Sequence, residues 1–137
     1  MTPVVLAEIH AACFTVPRPW TATEFAALLA TDGTFTIAES QGFLLARAIA
    51  DEAEILTLAV MPAARQQGIA FRLLAGFKTV AVERGVNTAF LEVAADNEPA
   101  LTLYAKAGFT PTAARKAYYA RPGGKAVDAV ILSLVLA

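Results

Sequence analysis

Residues 64–74 read "ARQQGIAFRLL", from Ala64 to Leu74, and they follow an apolar run, Glu54 to Val60, that ends at Met61-Pro62. A strand-like segment here gives way to a helix across a single glycine. The first backbone N–H groups of such a helix, from about Gln67 through Gly68, Ile69, Ala70 and Phe71 to Arg72, have no intrahelical partner and can hold an anion. Gly68 carries no side chain to keep a ligand away, and Arg65 and Arg72 add positive charge at either end. Two common nucleotide loops are excluded. A Walker loop needs G-x-x-x-x-G-K-[ST], with lysine and hydroxyl beside magnesium, and a dinucleotide loop needs three glycines after a parallel strand. The pattern fits a pyrophosphate used as a handle better than a nucleotide to be hydrolysed. Taken alone, the same residues also describe an ordinary strand-to-helix loop whose glycine permits the turn.

Downstream, Ile69, Leu73, Phe77, Val80 and Ala81 form one apolar stripe, and Gly85 stands where a C-terminal cap belongs. "TAFLEV", Thr88 to Val93, reads as a buried strand. Asp96-Asn97-Glu98-Pro99 then opens a helix that closes at Gly108, with Asn97, Leu101, Tyr104 and Gly108 on one face. An amide and a phenol two turns apart suit a long, amide-rich ligand with a reactive end. Two further strands, about Thr110 to Ala117 and Val127 to Val135, are joined by the loop "YYARPGGKA".

Upstream, Thr2-Pro3 marks a helix start, with Val5, Ile9 and Ala12 at helical spacing through Cys13. Thr21 and Glu24 form a capping box, and Trp20 can staple onto Phe25. Strands are predicted over Thr34 to Glu39, Phe43 to Ala50 and Glu54 to Val60, separated by Ser40-Gln41-Gly42 and Asp51-Glu52-Ala53 as hairpin turns. The order is helices, an antiparallel meander, a crossover helix, a strand, a helix and a final hairpin. That predicts an α/β (α+β) fold, one mixed, mostly antiparallel sheet with helices on both faces, as a single domain over residues 1–137.

Composition narrows the function. The 137 residues are 57% apolar and 17% charged with a net charge of −1, which describes a soluble globule without a basic footprint for nucleic acid. No apolar run approaches the roughly 18 residues that span a bilayer. "MTPVVLAEIHAACF" has no basic segment before its apolar residues, so no export signal is expected. Cys13 is the only cysteine, which fits a reducing cytoplasm, and His10 is the only histidine, which leaves no His/Cys set for zinc. His10 and Cys13 read as packing in the first helix. Without a Ser-His-Asp set or a cysteine with its base, a covalent acyl-enzyme is not expected.

Taken together, Arg65-Gln66-Gln67-Gly68-Ile69-Ala70 and "NEPALTLYAKAGF" resemble the GNAT (GCN5-related) N-acetyltransferases, matching their acetyl-CoA pattern [QR]-x-x-G-x-[GA] and their asparagine-to-"LYxxxGF" segment. The likeness extends over nearly the whole chain. "RPWT", "LEV", the tyrosine of "ALTLY", and "YY" before a "G-x-x-x-DA" ending resemble the RimI-like branch, which acetylates the N-terminal alanine of a small-subunit ribosomal protein.

The resemblance implies an acetyltransferase whose donor is acetyl-CoA, with no metal. It implies that Leu58, Ala59 and Val60 pair their backbone with the pantetheine arm, with a main-chain N–H near Val60 polarising the thioester carbonyl; an ordinary core strand would look the same. Glu92, flanked by Leu91 and Val93, would deprotonate the acceptor amine directly or through water, or else be a solvated strand glutamate. Tyr104 would protonate the departing thiolate, since a phenol of pKa about 10 can donate to a thiolate of about 8.5; otherwise it is a core tyrosine. Trp20, Tyr118 and Tyr119 would wall a groove for a peptide N-terminus. The alternatives are a GNAT enzyme acting on another protein terminus or a small-molecule amine, and, in another class, a non-catalytic acyl-CoA-binding module.

Three departures from the family pattern stand out. The family's first strand is short or missing. Ala94-Ala95-Asp96-Asn97 stands where "RxSN" is common. Gly124-Lys125-Ala126-Val127-Asp128-Ala129 replaces "GREDA" with one residue more and no glutamate beside the aspartate.

Overall fold

The computed structural model describes residues 1–14, 18–120 and 123–136. Two helices, α1 (Pro3–Cys13) and α2 (Ala22–Leu29), precede three strands, β1 (Thr34–Glu39), β2 (Gly42–Ile49) and β3 (Glu52–Val60). A short 3-10 turn (Pro62–Ala64) leads to α3 (Ile69–Glu83), then β4 (Thr88–Ala94), α4 (Glu98–Lys106), β5 (Thr110–Tyr119) and β6 (Val127–Val135). The six strands form one sheet in the order β1-β2-β3-β4-β6-β5, antiparallel throughout except for β3 beside β4. This is the mixed α/β architecture that the order of elements predicts.

Two apolar clusters lie on opposite faces of the sheet. Leu73, Leu74 and Phe77 of α3 and Tyr104 of α4 pack with Leu44, Ala46 and Leu91 on one face. Leu6 and Ile9 of α1 and Phe25 of α2 pack with Phe43 and Leu45 on the other. The alternation of β2 explains the division, because successive strand residues point to opposite faces.

The helix ends follow local chemistry. Thr21 Oγ1 accepts from Glu24 N–H at 3.2 Å, and a Glu24 oxygen accepts from Thr21 N–H at 3.1 Å, closing the capping box. Trp20 sits 5.5 Å from Phe25 between ring centroids, the staple that their spacing predicts. At the end of α4, Phe109 N–H donates to the Tyr104 carbonyl and Gly108 N–H to that of Ala105, each at 3.0 Å. This Schellman pair needs the left-handed φ of +101° at Gly108.

Several boundaries differ from the sequence prediction. The β2–β3 turn is the two residues Ala50-Asp51 rather than Asp51-Glu52-Ala53, since Ala50 takes a φ of 54° and lets Ile49 pair with Glu52. Of the final strands, β6 has the predicted bounds and β5 the predicted start, but β5 continues through Tyr119 rather than ending at Ala117, so Tyr118 and Tyr119 belong to a strand and not to the loop after it. Arg121 and Pro122 of that predicted loop lie outside the described residues. Asn97 is the N-cap of α4 rather than a residue on its face.

Candidate active site

β3 and β4 pair over only three positions, Glu52 with Thr88, Ala53 with Ala89 and Glu54 with Phe90. Beyond Glu54 the strands part, although β3 remains paired with β2 as far as Val60 and β4 with β6 as far as Ala94. A cleft of about 840 Å³ opens between them, lined by β3 from Glu54 to Leu58 and β4 from Leu91 to Ala94. His10, Trp20, Asn97, Tyr104, Tyr118 and Tyr119 complete its walls.

A bulge at Leu56 lies just past the parting point. The β2–β3 register slips between Leu45 and Ala46, leaving Leu56 without a partner. Ala53 and Ile55 face the α3 side, as do Leu58 and Val60, while Ala59 belongs to the α1–α2 side. The extra residue therefore reverses which residues of β3 face which helices. Among the described residues no strand pairs with the cleft-side edge of β3 beyond Glu54, an edge that includes Leu58, Ala59 and Val60. Such an edge offers alternating N–H and C=O groups to an extended, amide-rich ligand.

Past Val60 the chain enters the glycine loop. Gln66 (φ 63°) and Gly68 (φ 78°) are both left-handed, and Gly68 is the N-cap of α3 with no side chain capping the helix. The first-turn N–H groups thus meet no capping side chain, as an anion site requires. Ile69 is buried in the core, Ala70 is partly buried and Phe71 is 45% exposed, so these residues can offer the ligand their backbone. The two arginines are already engaged. Arg65 Nε donates to the Val60 carbonyl at 3.1 Å, an oxygen that also receives Cys13 Sγ at 3.2 Å. Arg72 forks onto Glu39 at 2.7 and 2.8 Å and donates to the Gln67 carbonyl at 3.1 Å. That pairing holds the Glu39 carboxyl below its ordinary range. Both arginines thus brace the loop, and the spare positive charge that the sequence suggests is neutralised at Arg72 by Glu39.

Tyr104 projects from α4 on the α3 side of the sheet and is 7% exposed. Its ring meets Phe109 edge-on at 5.6 Å, the apolar contact that accompanies a Schellman end. Burial pushes its phenol well above the ordinary tyrosine value, so it stays protonated at neutral pH. Asn97 Oδ1 accepts the Ala100 N–H at 3.3 Å, and among the described residues no hydrogen bond holds its amide NH₂ at the cleft it lines.

The opposite face carries the charge. Glu92 alternates with the buried Leu91 and Val93 and so points away from Tyr104's side of the sheet. Arg115 Nε on β5 reaches its Oε1 at 3.1 Å. Glu54 stands on the same face, at the last paired position of β3. Burial, and secondarily the Glu92 charge, push its carboxyl above the ordinary range, against the weaker pull of Arg115 and Arg47.

The Trp20 ring stacks on His10 at 4.9 Å, and the Trp20 backbone N–H donates to His10 Nδ1 at 3.0 Å. The other nitrogen, Nε2, lies 3.1 Å from Thr57 Oγ1 on β3. Tyr118 and Tyr119 meet edge-on at 5.1 Å. Glu54, Arg115 and the binding of His10 to the Trp20 wall are absent from the sequence reading. The sequence reading placed Glu54 at the start of its strand, whereas β3 begins at Glu52 and carries Glu54 inside it. Among the described residues no group of three or more His, Cys, Asp or Glu could hold a metal ion, and no helix is long and apolar enough to cross a membrane.

The sequence profile of the acetyltransferase (GNAT) family matches residues 4–109. Over 94 residues the chain is 39% identical to the ribosomal protein bS18-alanine N-acetyltransferase of Haemophilus ducreyi, covering 69% of this chain and 65% of that one. Over 92 residues it is 36% identical to the enzyme of that name from Escherichia coli K12, covering 67% and 62%. The matched stretch is thus less than two thirds of either relative's length. The crystal structure of the ribosomal-protein-S18-alanine N-acetyltransferase from Escherichia coli superposes with a TM-score of 0.85 at 28% identity, over 96% of this chain and 85% of that chain.

Proposed function

This chain belongs to the acetyltransferase (GNAT) family, and we propose that it transfers the acetyl group of acetyl-CoA to the α-amine of a protein N-terminus, with an alanine-starting ribosomal protein as first candidate. We place this activity in the cytoplasm, where such an acceptor is made. One observation carries the proposal: where β3 and β4 part, a carboxylate stands on one face of the sheet and a buried phenol on the other. An acyl carbon held in the gap is then open to a nucleophile from the Glu92 side and to a proton donor from the Tyr104 side.

The residues present fit the donor. The free edge of β3 from Leu58 to Val60 suits the amides of a pantetheine arm, and the uncapped start of α3 at Gly68 suits its pyrophosphate. Acetyl-CoA supplies an activated acyl carbon. Glu92 draws a proton from the α-ammonium, whose pKa is near ~8, and leaves a nitrogen lone pair to bond to that carbon. As the carbon–sulfur bond breaks, Tyr104 gives its proton to the sulfur. It regains one from the nitrogen, which loses its second proton on becoming an amide, so one proton is released overall. Trp20, Tyr118 and Tyr119 wall the acceptor side, and Asn97 ties the start of α4 to the cleft.

The test is thiol release from acetyl-CoA with peptides that begin with alanine, with the same peptides blocked at the α-amine, and with small amines. The expected result is turnover on free α-amines only. Equal rates on blocked peptides would move the acceptor to a lysine side chain. Turnover on small amines alone would overturn the protein-terminus assignment, and acetyl-CoA binding without transfer to any amine would leave a binding module.

A further inference from the structure

Resting on the acetyltransferase reading, we infer that His10 is a positioning residue for the acceptor. By bonding the Trp20 backbone on one side and Thr57 on the other, it fixes the Trp20 wall against β3 and so sets the affinity for the acceptor chain. Packing alone does not account for this residue. Apart from Tyr104, His10 (2% exposed) and Thr57 (9%) are the buried polar side chains among the described residues. They meet each other at 3.1 Å, 47 positions apart in sequence. A buried polar group weakens a core unless it is bonded, and a leucine would fill this place among Phe14, Trp20 and Phe25 without that cost. What the imidazole adds is direction.

The ring stacks with Phe14 at 4.4 Å and with Trp20 at 4.9 Å, while Phe25 meets it edge-on at 5.5 Å. Held in this way it has little room to turn, and its two nitrogens keep fixed partners. Nδ1 accepts the Trp20 backbone N–H at 3.0 Å. Trp20 lies just before Thr21, the N-cap of α2, so the helix offers that N–H no carbonyl. Nε2 reaches Thr57, which stands on β3 one residue before the edge from Leu58 to Val60. His10, Trp20 and Thr57 all line the cleft. Trp20 packs on the α1–α2 side of the sheet, the side toward which Glu92 points. A main-chain bond and a stacked ring together set how far the indole stands from β3. That distance is the width left for the first residue of an acceptor whose nitrogen reaches Glu92. Cutting this strut leaves Glu92 and Tyr104 in place and removes a contact made equally in the ground and transition states, which raises KM and spares kcat.

The test compares wild type, His10→Phe, Thr57→Val and the double variant in acetyl transfer to an alanine-starting peptide. Phenylalanine keeps the stacked ring and removes both nitrogens; valine keeps the shape of Thr57 and removes its hydroxyl. Binding of acetyl-CoA to each protein is the control for folding. His10→Phe should raise the peptide KM about tenfold, the scale of one buried hydrogen bond lost with its partner left unpaired, while kcat changes little. Thr57→Val should raise KM in the same way, and the double variant should be no worse than His10→Phe, because both cut one strut. Trp20 is the only tryptophan, so its fluorescence reads the wall without turnover. Its emission should move to longer wavelength in both single variants as water reaches the indole. A peptide KM within threefold of wild type in both single variants, additive effects in the double variant, or unchanged Trp20 emission would overturn the strut while leaving the acetyltransferase intact. If His10→Phe fails to fold, Thr57→Val decides by the same KM and emission criteria. A wild type that binds acetyl-CoA and acetylates no amine would overturn the acetyltransferase reading and with it the acceptor role.

Discussion

Lowering the pH from 7 to 5 should loosen the wall that Trp20 builds, through the single histidine of the chain. His10 is 2% exposed and must be neutral to serve its two neighbours. Its Nδ1 accepts the Trp20 backbone N–H at 3.0 Å, so the ring proton belongs on Nε2, which then donates to Thr57 Oγ1 at 3.1 Å. Burial lowers its pKa from 6.5 to about 4, against a smaller upward pull from Glu24. As the folded value lies below the unfolded one, the unfolded chain takes up the proton first as pH falls. Stability is therefore complete above about pH 6.5 and is lost progressively down to about pH 4. At 1.36 kcal/mol per unit, the full loss is about 3 kcal/mol, of which about 2 kcal/mol falls between pH 7 and 5. Glu54 is shifted upward and runs the other way, gaining stability as pH falls, so the wild type alone is a mixed signal. Urea unfolding of wild type and His10→Gln at both pH values separates them, because the Glu54 contribution is common to both proteins. Wild type should lose about 2 kcal/mol more than the variant. Equal losses, within about 0.5 kcal/mol, would mean that His10 titrates normally in the folded chain and would refute the buried, neutral bridge.

Two further outcomes test the donor side. Tyr104→Phe keeps the ring that packs on Phe109 and removes only the hydroxyl, so turnover should fall about 10²–10⁴-fold while the acetyl-CoA dissociation constant stays near wild type; an unchanged kcat when chemistry limits the rate would refute the acid role. Gly68→Val places a branched side chain at a φ of 78°, where a Cβ meets only Arg72 Nη1 at 3.5 Å, so its cost is conformational, about 1–2 kcal/mol. It should appear as a lower denaturation midpoint and weaker acetyl-CoA binding by calorimetry, and full retention of both would sink the loop assignment.

Much of the frame was legible because local chemistry dictates it. The Thr21–Glu24 box, the Trp20–Phe25 staple, the stripe from Ile69 to Ala81 and the glycines after α3 and α4 each act within a few residues of themselves. The parting of β3 and β4 was not legible. It depends on which backbone groups three distant segments leave unpaired, and Leu56 looks like any other strand leucine until its register with β2 is known. The same holds for Arg115, 23 positions from Glu92 in sequence but joined to it across β6. Ala50, at φ 54°, hid a two-residue turn because alanine rarely signals one. Asn97 was placed on a helix face by spacing alone, but an asparagine just before Glu98-Pro99 serves better as a cap, and the structure uses it so.

The departures near the C-terminus bear directly on the wall proposed for the acceptor. Gly124-Lys125-Ala126-Val127-Asp128-Ala129 lacks the glutamate of the family pattern, but Asp128 makes the connection that matters to the cleft. Its Oδ1 accepts the Ala117 N–H at 2.8 Å, at the point where Ala117 is forced to a φ of 50°. Its own carbonyl accepts the Ala95 N–H at 2.8 Å, just past the end of β4. One residue therefore fixes both the strand that carries Glu92 and the irregularity in β5 between Arg115 and Tyr119. A left-handed alanine costs about 1–3 kcal/mol unless its surroundings impose it, and the charged acceptor of Asp128 is what imposes it here. On one side of the irregularity Arg115 turns onto Glu92 and beneath the Tyr118 ring, 5.2 Å from its centroid. On the other, Tyr119 returns to pairing with Val127. The two tyrosines and the arginine are thus set by the aspartate, and the missing glutamate takes no part in holding them.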